Sequence, residues 1–327
     1  MNTKEKTHSG SFKSFVTVLF LFLFLTGMQA SAASYKRIQV GSDFGPNRIR
    51  VGSTYFWGAY LNNGYEYFLY TAGAGTGNEN ILARLDPDTS SDTYILTDGK
   101  TVIYPYYSNG KTTIYSIRTD GTQKKTLTTF NGGPVFPLKR YRTKCYFLVI
   151  KSGYSVMYCL DMNTGKKTRM AKGNGLRTRV CDSTRYLYSM FSKSNKVLVK
   201  VTDGRTAGET GTFSIAKKYA AWVSYFMATP QNVYVSIVNG ACTQAIIYQM
   251  SADGSRGFAR FRTIRPPVSD SIILGVYVVN DTYALYQIED CVNVRYLSYK
   301  YTFSDGKSKR ITNKSLEKVL ESPAMSY

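Results

Sequence analysis

Cations are the most numerous groups in this chain with chemistry to offer: 42 Lys and Arg stand against 21 Asp and Glu, a net charge of +21 over 327 residues. They run in clusters. Lys139, Arg140, Arg142 and Lys144 form one, and Arg177 and Arg179, followed by Arg185, form another. Lys166, Lys167, Arg169 and Lys172 make a third, and Arg256 to Arg265 and Lys307 to Arg310 continue the pattern. A surface of this kind attracts polyanions at low ionic strength. Lysines just after a hairpin turn have a second purpose, because charge on a free sheet edge blocks edge-to-edge aggregation. That purpose covers Lys124 and Lys125, Lys166 and Lys167, and Lys307 to Arg310. It does not cover Arg177 and Arg179, which together with Lys139, Arg140, Arg142 and Lys144 are the candidate ligand-binding residues.

Other chemistry is excluded early. Residues 1–32 have a basic start at Lys4, Lys6 and Lys13, an apolar run from Phe15 to Leu25, and small residues at Ala30-Ser31-Ala32. This reads as a secretory signal peptide, its apolar run being too short to span a membrane, and the mature chain is expected to be soluble and extracytoplasmic. Cleavage after Ala32 removes His8, the only histidine, and leaves a net charge of +19. Without imidazole, neither a Ser-His-Asp nor a Cys-His mechanism is available, and metals that need His have no ligand. No cofactor or metal site is expected. Asp86, Asp88 and Asp92 bring three carboxylates into one loop, but they lack the glycine and closing Glu of an EF-hand and read as a solvated turn. Gly73 to Gly77 is glycine-rich without the Lys-Ser or Lys-Thr of a phosphate loop.

The elements that position these residues emerge from a repeat. Six short aromatic and β-branched runs recur: Thr54 to Leu61, Thr101 to Tyr107, Cys145 to Ile150, Arg185 to Phe191, Asn232 to Val238 and Thr282 to Ile288. With Tyr55, Tyr104, Tyr146, Tyr186, Tyr234 and Tyr283 as anchors, the spacings are 49, 42, 40, 48 and 49 residues, the length of a four-stranded propeller blade. Each run leads through a tight turn to another strand, then to a second turn: Asp120-Gly121, Asn163-Thr164-Gly165, Asp203-Gly204, Asp253-Gly254 and Asp305-Gly306. The expected fold is all-β, a six-bladed β-propeller of four-stranded blades over residues 49–312. Residues 33–48 form an N-terminal segment that either supplies the first inner strand or closes the ring beside the last blade, and residues 313–327 form a C-terminal tail. A pair of immunoglobulin-like sandwiches also uses short strands, but does not repeat at this period.

The five cysteines contain no C-x-x-C pair, so neither a thioredoxin-type redox motif nor a zinc knuckle is present. Cys145 and Cys159 belong to one hairpin. A three-residue turn centred on Ser152 sets them directly opposite, within reach of a disulfide, whereas a two-residue turn puts them on opposite faces.

The segments Ile114 to Gly121, Met157 to Gly165 and Ile247 to Gly254 resemble the third strand and turn of secreted bacterial propellers, similar to the TolB type and to the lipoprotein-receptor type. The resemblance implies the six-bladed fold. The receptor type's Tyr-Trp-Thr-Asp run is absent, so its ligand contacts do not carry over. Propellers both bind and catalyse. The reading favoured here is a secreted, non-enzymatic binding protein for an anionic cell-envelope polymer, a glycan or a protein partner, with nucleic acid not expected. The alternative is a glycan-processing enzyme, a lyase or a sialidase-like hydrolase, using Arg and Tyr. The Asp-box repeats of sialidases are missing, and most Tyr and Trp alternate as blade packing requires. A basic, carboxylate-poor face would mark the binder, and a channel mouth where carboxylate, Tyr and Arg converge would mark the enzyme.

Overall fold

The computed structural model describes residues 34–40, 48–60, 66–75, 78–85, 93–181, 183–218 and 220–320. The expected signal peptide, the Asp86, Asp88 and Asp92 loop, Thr76 and Gly77 lie outside the described residues. A short strand β1 (Lys36–Gln39) precedes six consecutive antiparallel sheets. The first blade is β2 (Ile49–Val51), β3 (Thr54–Tyr60), β4 (Tyr67–Gly73) and β5 (Glu79–Leu85). The second is β6 (Tyr94–Thr97), β7 (Thr101–Ser108), β8 (Lys111–Arg118) and β9 (Lys125–Asn131). The third is β10 (Val135–Tyr141), β11 (Lys144–Lys151), β12 (Tyr154–Asp161) and β13 (Lys167–Gly173). The fourth is β14 (Arg177–Val180), β15 (Tyr186–Lys193), β16 (Lys196–Asp203) and β17 (Gly208–Ala216). The fifth is β18 (Trp222–Ala228), β19 (Asn232–Val238), β20 (Ala245–Ser251) and β21 (Ala259–Ile264). The sixth is β22 (Ser271–Val278), β23 (Tyr283–Asp290), β24 (Arg295–Thr302) and β25 (Ser308–Ile311), and a helix α1 (Asn313–Leu320) follows it within the expected C-terminal tail.

This is the six-bladed propeller. Strand order equals chain order in every blade, so the first strand is innermost and the fourth outermost. Of the N-terminal segment, the described strand β1 neither pairs with the sixth blade nor supplies the first blade's inner strand. β1 pairs with β6 and adds a fifth strand to the second blade, because Ile38 and Val40 bury themselves in the core shared by the first two blades.

Middle strands must be apolar on both sides, since each interior blade is pressed between two others. In β11, Cys145, Phe147 and Val149 enter a cluster shared with the second blade, while Tyr146 and Leu148 enter one shared with the fourth. Three further clusters of this kind join the first and second, fourth and fifth, and fifth and sixth blades.

Two repeated devices lock the blades. Asp120, Asp161, Asp203, Asp253 and Asp305 each close the second turn of a blade by accepting the N–H two residues on, at 2.7–3.0 Å. These Asx turns explain the recurring Asp. At Asp253 the Ser255 N–H and hydroxyl hold the carboxyl at about 2. The other device is one fully buried tyrosine on the second strand of each blade after the first: Tyr104, Tyr146, Tyr188, Tyr234 and Tyr286, with Phe56 in the first blade. Tyr146 and Tyr188 donate to Gly204 and Ala252 carbonyls of the next blade at 2.9 and 2.8 Å, and Tyr234 donates to Asp281 of the next blade at 2.8 Å. All six tyrosines used to measure the repeat lie on second strands. Tyr104, Tyr146 and Tyr234 occupy the fully buried position, whereas Tyr55, Tyr186 and Tyr283 are half-buried and that position belongs to Phe56, Tyr188 and Tyr286.

Burial pushes Tyr104 and Tyr286 up to about 12. A folded-state value above the unfolded value near 10 stabilises the fold fully below that unfolded value, and the contribution disappears as pH rises towards 12. The protein should therefore hold its structure through neutral pH and unfold cooperatively between about pH 10 and 12. Tyrosinate absorbance and far-ultraviolet dichroism followed together will check this: the buried tyrosines should ionise only as the strand signal is lost.

The Cys145–Cys159 bridge is corrected by the register. Lys151 opposes Tyr154 across a two-residue turn, so Cys145 opposes Leu160 and Cys159 opposes Tyr146. The two sulfurs point into different interblade cores, and all five cysteines are free thiols. Thiol titration of the denatured, unreduced chain should return five. In the native protein exposed Cys291 should react first and Cys145 last, since burial pushes the Cys145 thiol well above its ordinary range.

Candidate functional site

The inner-strand cations are bonded between blades rather than gathered at one mouth. Lys139, on β10, is buried and donates through Nζ to the Cys181 carbonyl of the fourth blade at 2.5 Å, and to the Thr184 carbonyl. Arg179, on β14, is buried and donates through Nε to the Phe226 carbonyl of the fifth blade at 2.7 Å, with Tyr225 against its guanidinium. The same step recurs on either side. Arg37 of β1 donates to Pro137 of the third blade at 2.9 Å, and Ser224 of β18 exchanges hydrogen bonds with both the N–H and the carbonyl of Val276 in the sixth. These side chains join successive inner strands, which do not share a ladder. The remaining candidates separate. Arg140 stacks on Tyr35, Lys144 is ion-paired to Asp161 at 2.5 Å, and Arg142 occupies the turn between β10 and β11 at a left-handed φ of 53°. Arg177 alone opens its strand at the other end of the blades.

That other end, where second strands finish and third strands begin, carries an arrangement the sequence reading missed. Lys193 and Lys196 face each other across the turn Ser194-Asn195, the closing pair of β15 and β16. Like charges opposed on adjacent strands disfavour the pair. Lys217 and Lys218 lie beside them, the Lys217 N–H bonding to the Asn195 carbonyl at 2.9 Å. In the third blade, Lys151 ends β11 and Lys172 lies over the Tyr154 ring at 4.1 Å. Gly173 packs against Phe191 of β15, so a Cβ there would meet the Phe191 Cβ at 3.1 Å and its ring at 3.3 Å; this close approach brings the two blade tips together.

Seven cations, Lys151, Lys172, Arg177, Lys193, Lys196, Lys217 and Lys218, thus share the ends of the third and fourth blades. Among the described residues no carboxylate stands with them. Asp161, Asp203 and Glu209 are all at the opposite end, paired with Lys144, Arg185 and Lys200 at 2.5, 2.9 and 2.6 Å. The legible signal was the Lys-Ser-Asn-Lys turn between two apolar strands. Of the outer-strand lysines, Lys167 of β13 donates to the Thr129 carbonyl of the second blade at 2.8 Å. Among the described residues no three His, Cys, Asp or Glu side chains converge as metal ligands, and no helix is long and apolar enough to cross a membrane.

Known proteins share the architecture. Prolyl oligopeptidase B from Galerina marginata is 14% identical with a TM-score of 0.50, covering 95% of this chain and 49% of its own. The β-propeller domain of the Trilobed protease from Pyrococcus furiosus is 14% identical (TM-score 0.43; 80% of this chain, 78% of that one). TolB from Acinetobacter baumannii is 17% identical (TM-score 0.38; 63% and 52%). At these identities the likeness is one of fold. No protein-family model and no curated protein matches the chain.

Proposed function

We propose that this is an extracytoplasmic, non-enzymatic binding propeller that captures an anionic polymer of the cell envelope on the lysine rim of its third and fourth blades. The observation that carries the reading is that rim: seven cations at the ends of the third and fourth blades, with no carboxylate of those two blades beside them among the described residues. Folding alone would not select Lys193 opposite Lys196, whereas a polyanion would offset their repulsion. Six of the seven are Lys rather than Arg. Flexible point charges suit a repeating charged chain better than a single bidentate carboxylate. Arg177 belongs to this rim. Lys139 and Arg179 serve it indirectly, by holding the third, fourth and fifth blades in register. The sialidase-like alternative needs a free carboxylate beside Tyr and Arg, and five Asp residues are instead engaged in turns.

Titration of the protein with inorganic polyphosphate, polygalacturonate and neutral dextran tests this. Both anionic chains should bind, dextran should not, and affinity should fall steeply between low and physiological salt as exposed charges are screened beyond about 8–10 Å. Binding to dextran, or affinity indifferent to salt, would sink the proposal.

A further inference from the structure

Exposed apolar side chains are distributed as unevenly as the charge. Six large hydrophobic residues are exposed among the described residues, and five of them, Tyr60, Trp222, Val292, Val294 and Tyr296, lie at the same blade ends as the lysine rim. Tyr60 ends β3, Trp222 opens β18, and the other three belong to the β23–β24 hairpin. The hairpin tip is the most exposed: Val292 at 69% and Val294 at 80%. Val294 also adopts a left-handed φ of 48°, a conformation that a β-branched residue disfavours and that Gly or Asn would adopt readily. Turn formation therefore does not account for valine there. The tip is held out by Asp290, fully buried beneath it, whose carboxylate accepts from the Asn293 N–H and side-chain amide at 3.2 and 2.9 Å and from Arg295 Nε at 2.9 Å.

We infer that this end of the propeller docks on an anionic lipid bilayer, with Val292 and Val294 entering the interface and the lysine rim held over the headgroups. Charge complementarity selects the occupant. The third- and fourth-blade ends, where no carboxylate of those blades stands among the described residues, supply the attraction, while the sixth-blade tip, with Asp270 and Glu289 near it, supplies the apolar contact. Neither part suffices: polybasic attraction is weak and screened by salt, and two valines anchor little alone. Trp222 and Tyr296 have the amphipathic character favoured at headgroup depth. The inference rests on the rim's attraction for anions and adds the surface that presents them.

Co-sedimentation with phosphatidylcholine vesicles, with and without phosphatidylglycerol, tests it beside soluble polyphosphate binding. Wild-type protein should sediment with the phosphatidylglycerol vesicles only, and Trp222 emission should shift to the blue, a shift that Trp222→Phe abolishes. Val292→Asp/Val294→Asp, at exposed positions, should weaken vesicle affinity at least about tenfold while polyphosphate affinity is unchanged. Vesicle binding indifferent to this variant would overturn the inference, leaving headgroup charge on the rim as the whole effect. Polyphosphate binding without vesicle binding overturns the inference and spares the polymer reading. Vesicle binding without binding to either soluble polyanion does the reverse. A dimer that Val292→Asp/Val294→Asp dissolves would assign the tip to a second copy of the chain and also overturn it.

Discussion

Replacing Lys193, Lys196 and Lys218 together by Gln should lower affinity for polyphosphate roughly a hundredfold, taking about 1 kcal/mol for each cation near an anionic surface. The same variant should melt at or slightly above the wild-type temperature. Lys193 and Lys196 are directly opposed across their strand pair, both are exposed, and no carboxylate stands near them among the described residues, so neutralising them relieves repulsion. Loss of binding with gain of stability separates a functional patch from a solvated surface. Lys307→Gln/Lys309→Gln, beside and on the outer strand of the sixth blade, changes net charge by two and should leave affinity within about twofold, because those charges lie beyond the screening length from the rim. An equal loss in both variants would mean that binding follows overall charge and no site exists.

Tyr146 should be the most costly single position in the third blade. Tyr146→Ala should destabilise by about 3–5 kcal/mol, the range for deleting a large buried aromatic ring. Tyr146→Phe should cost about 1 kcal/mol, the net worth of one hydrogen bond. The ring is fully buried in the core between the third and fourth blades, and its hydroxyl donates to Gly204 of the fourth at 2.9 Å. Denaturant melts of the two variants will show how the total divides between packing and the interblade bond. A Phe variant as unstable as the Ala variant would mean that the hydroxyl, and not the ring, holds the blades together.

The blade grammar was open to sequence reasoning because it is local. An Asp that closes a turn needs only the N–H two residues on, so the five second turns repeat wherever a third strand ends, as Asp120 and Asp305 show. Strand placement followed for the same reason: the expected run Asn232 to Val238 is β19 without change. Anchor residues were harder. Tyr186 and Tyr188 alternate with the same period and point to the same side, and only the depth of the neighbouring blade decides that Tyr188 is fully buried while Tyr186 is half-exposed.

Composition and spacing determined the class of this protein by themselves. They established a histidine-poor, strongly basic chain with six repeats of strand and turn, since these depend on residue type and on contacts a few residues apart. The tertiary structure alone decided which cations are free to meet a ligand. Lys139 and Lys193 are equivalent as letters, but one ends beneath the carbonyls of Cys181 and Thr184 and the other at an open turn. One residue of hairpin register sent Cys145 and Cys159 into separate cores. For the cations the physical reason is that a side chain's partners come from the next blade some 40 residues on, and that separation leaves no trace in the local pattern.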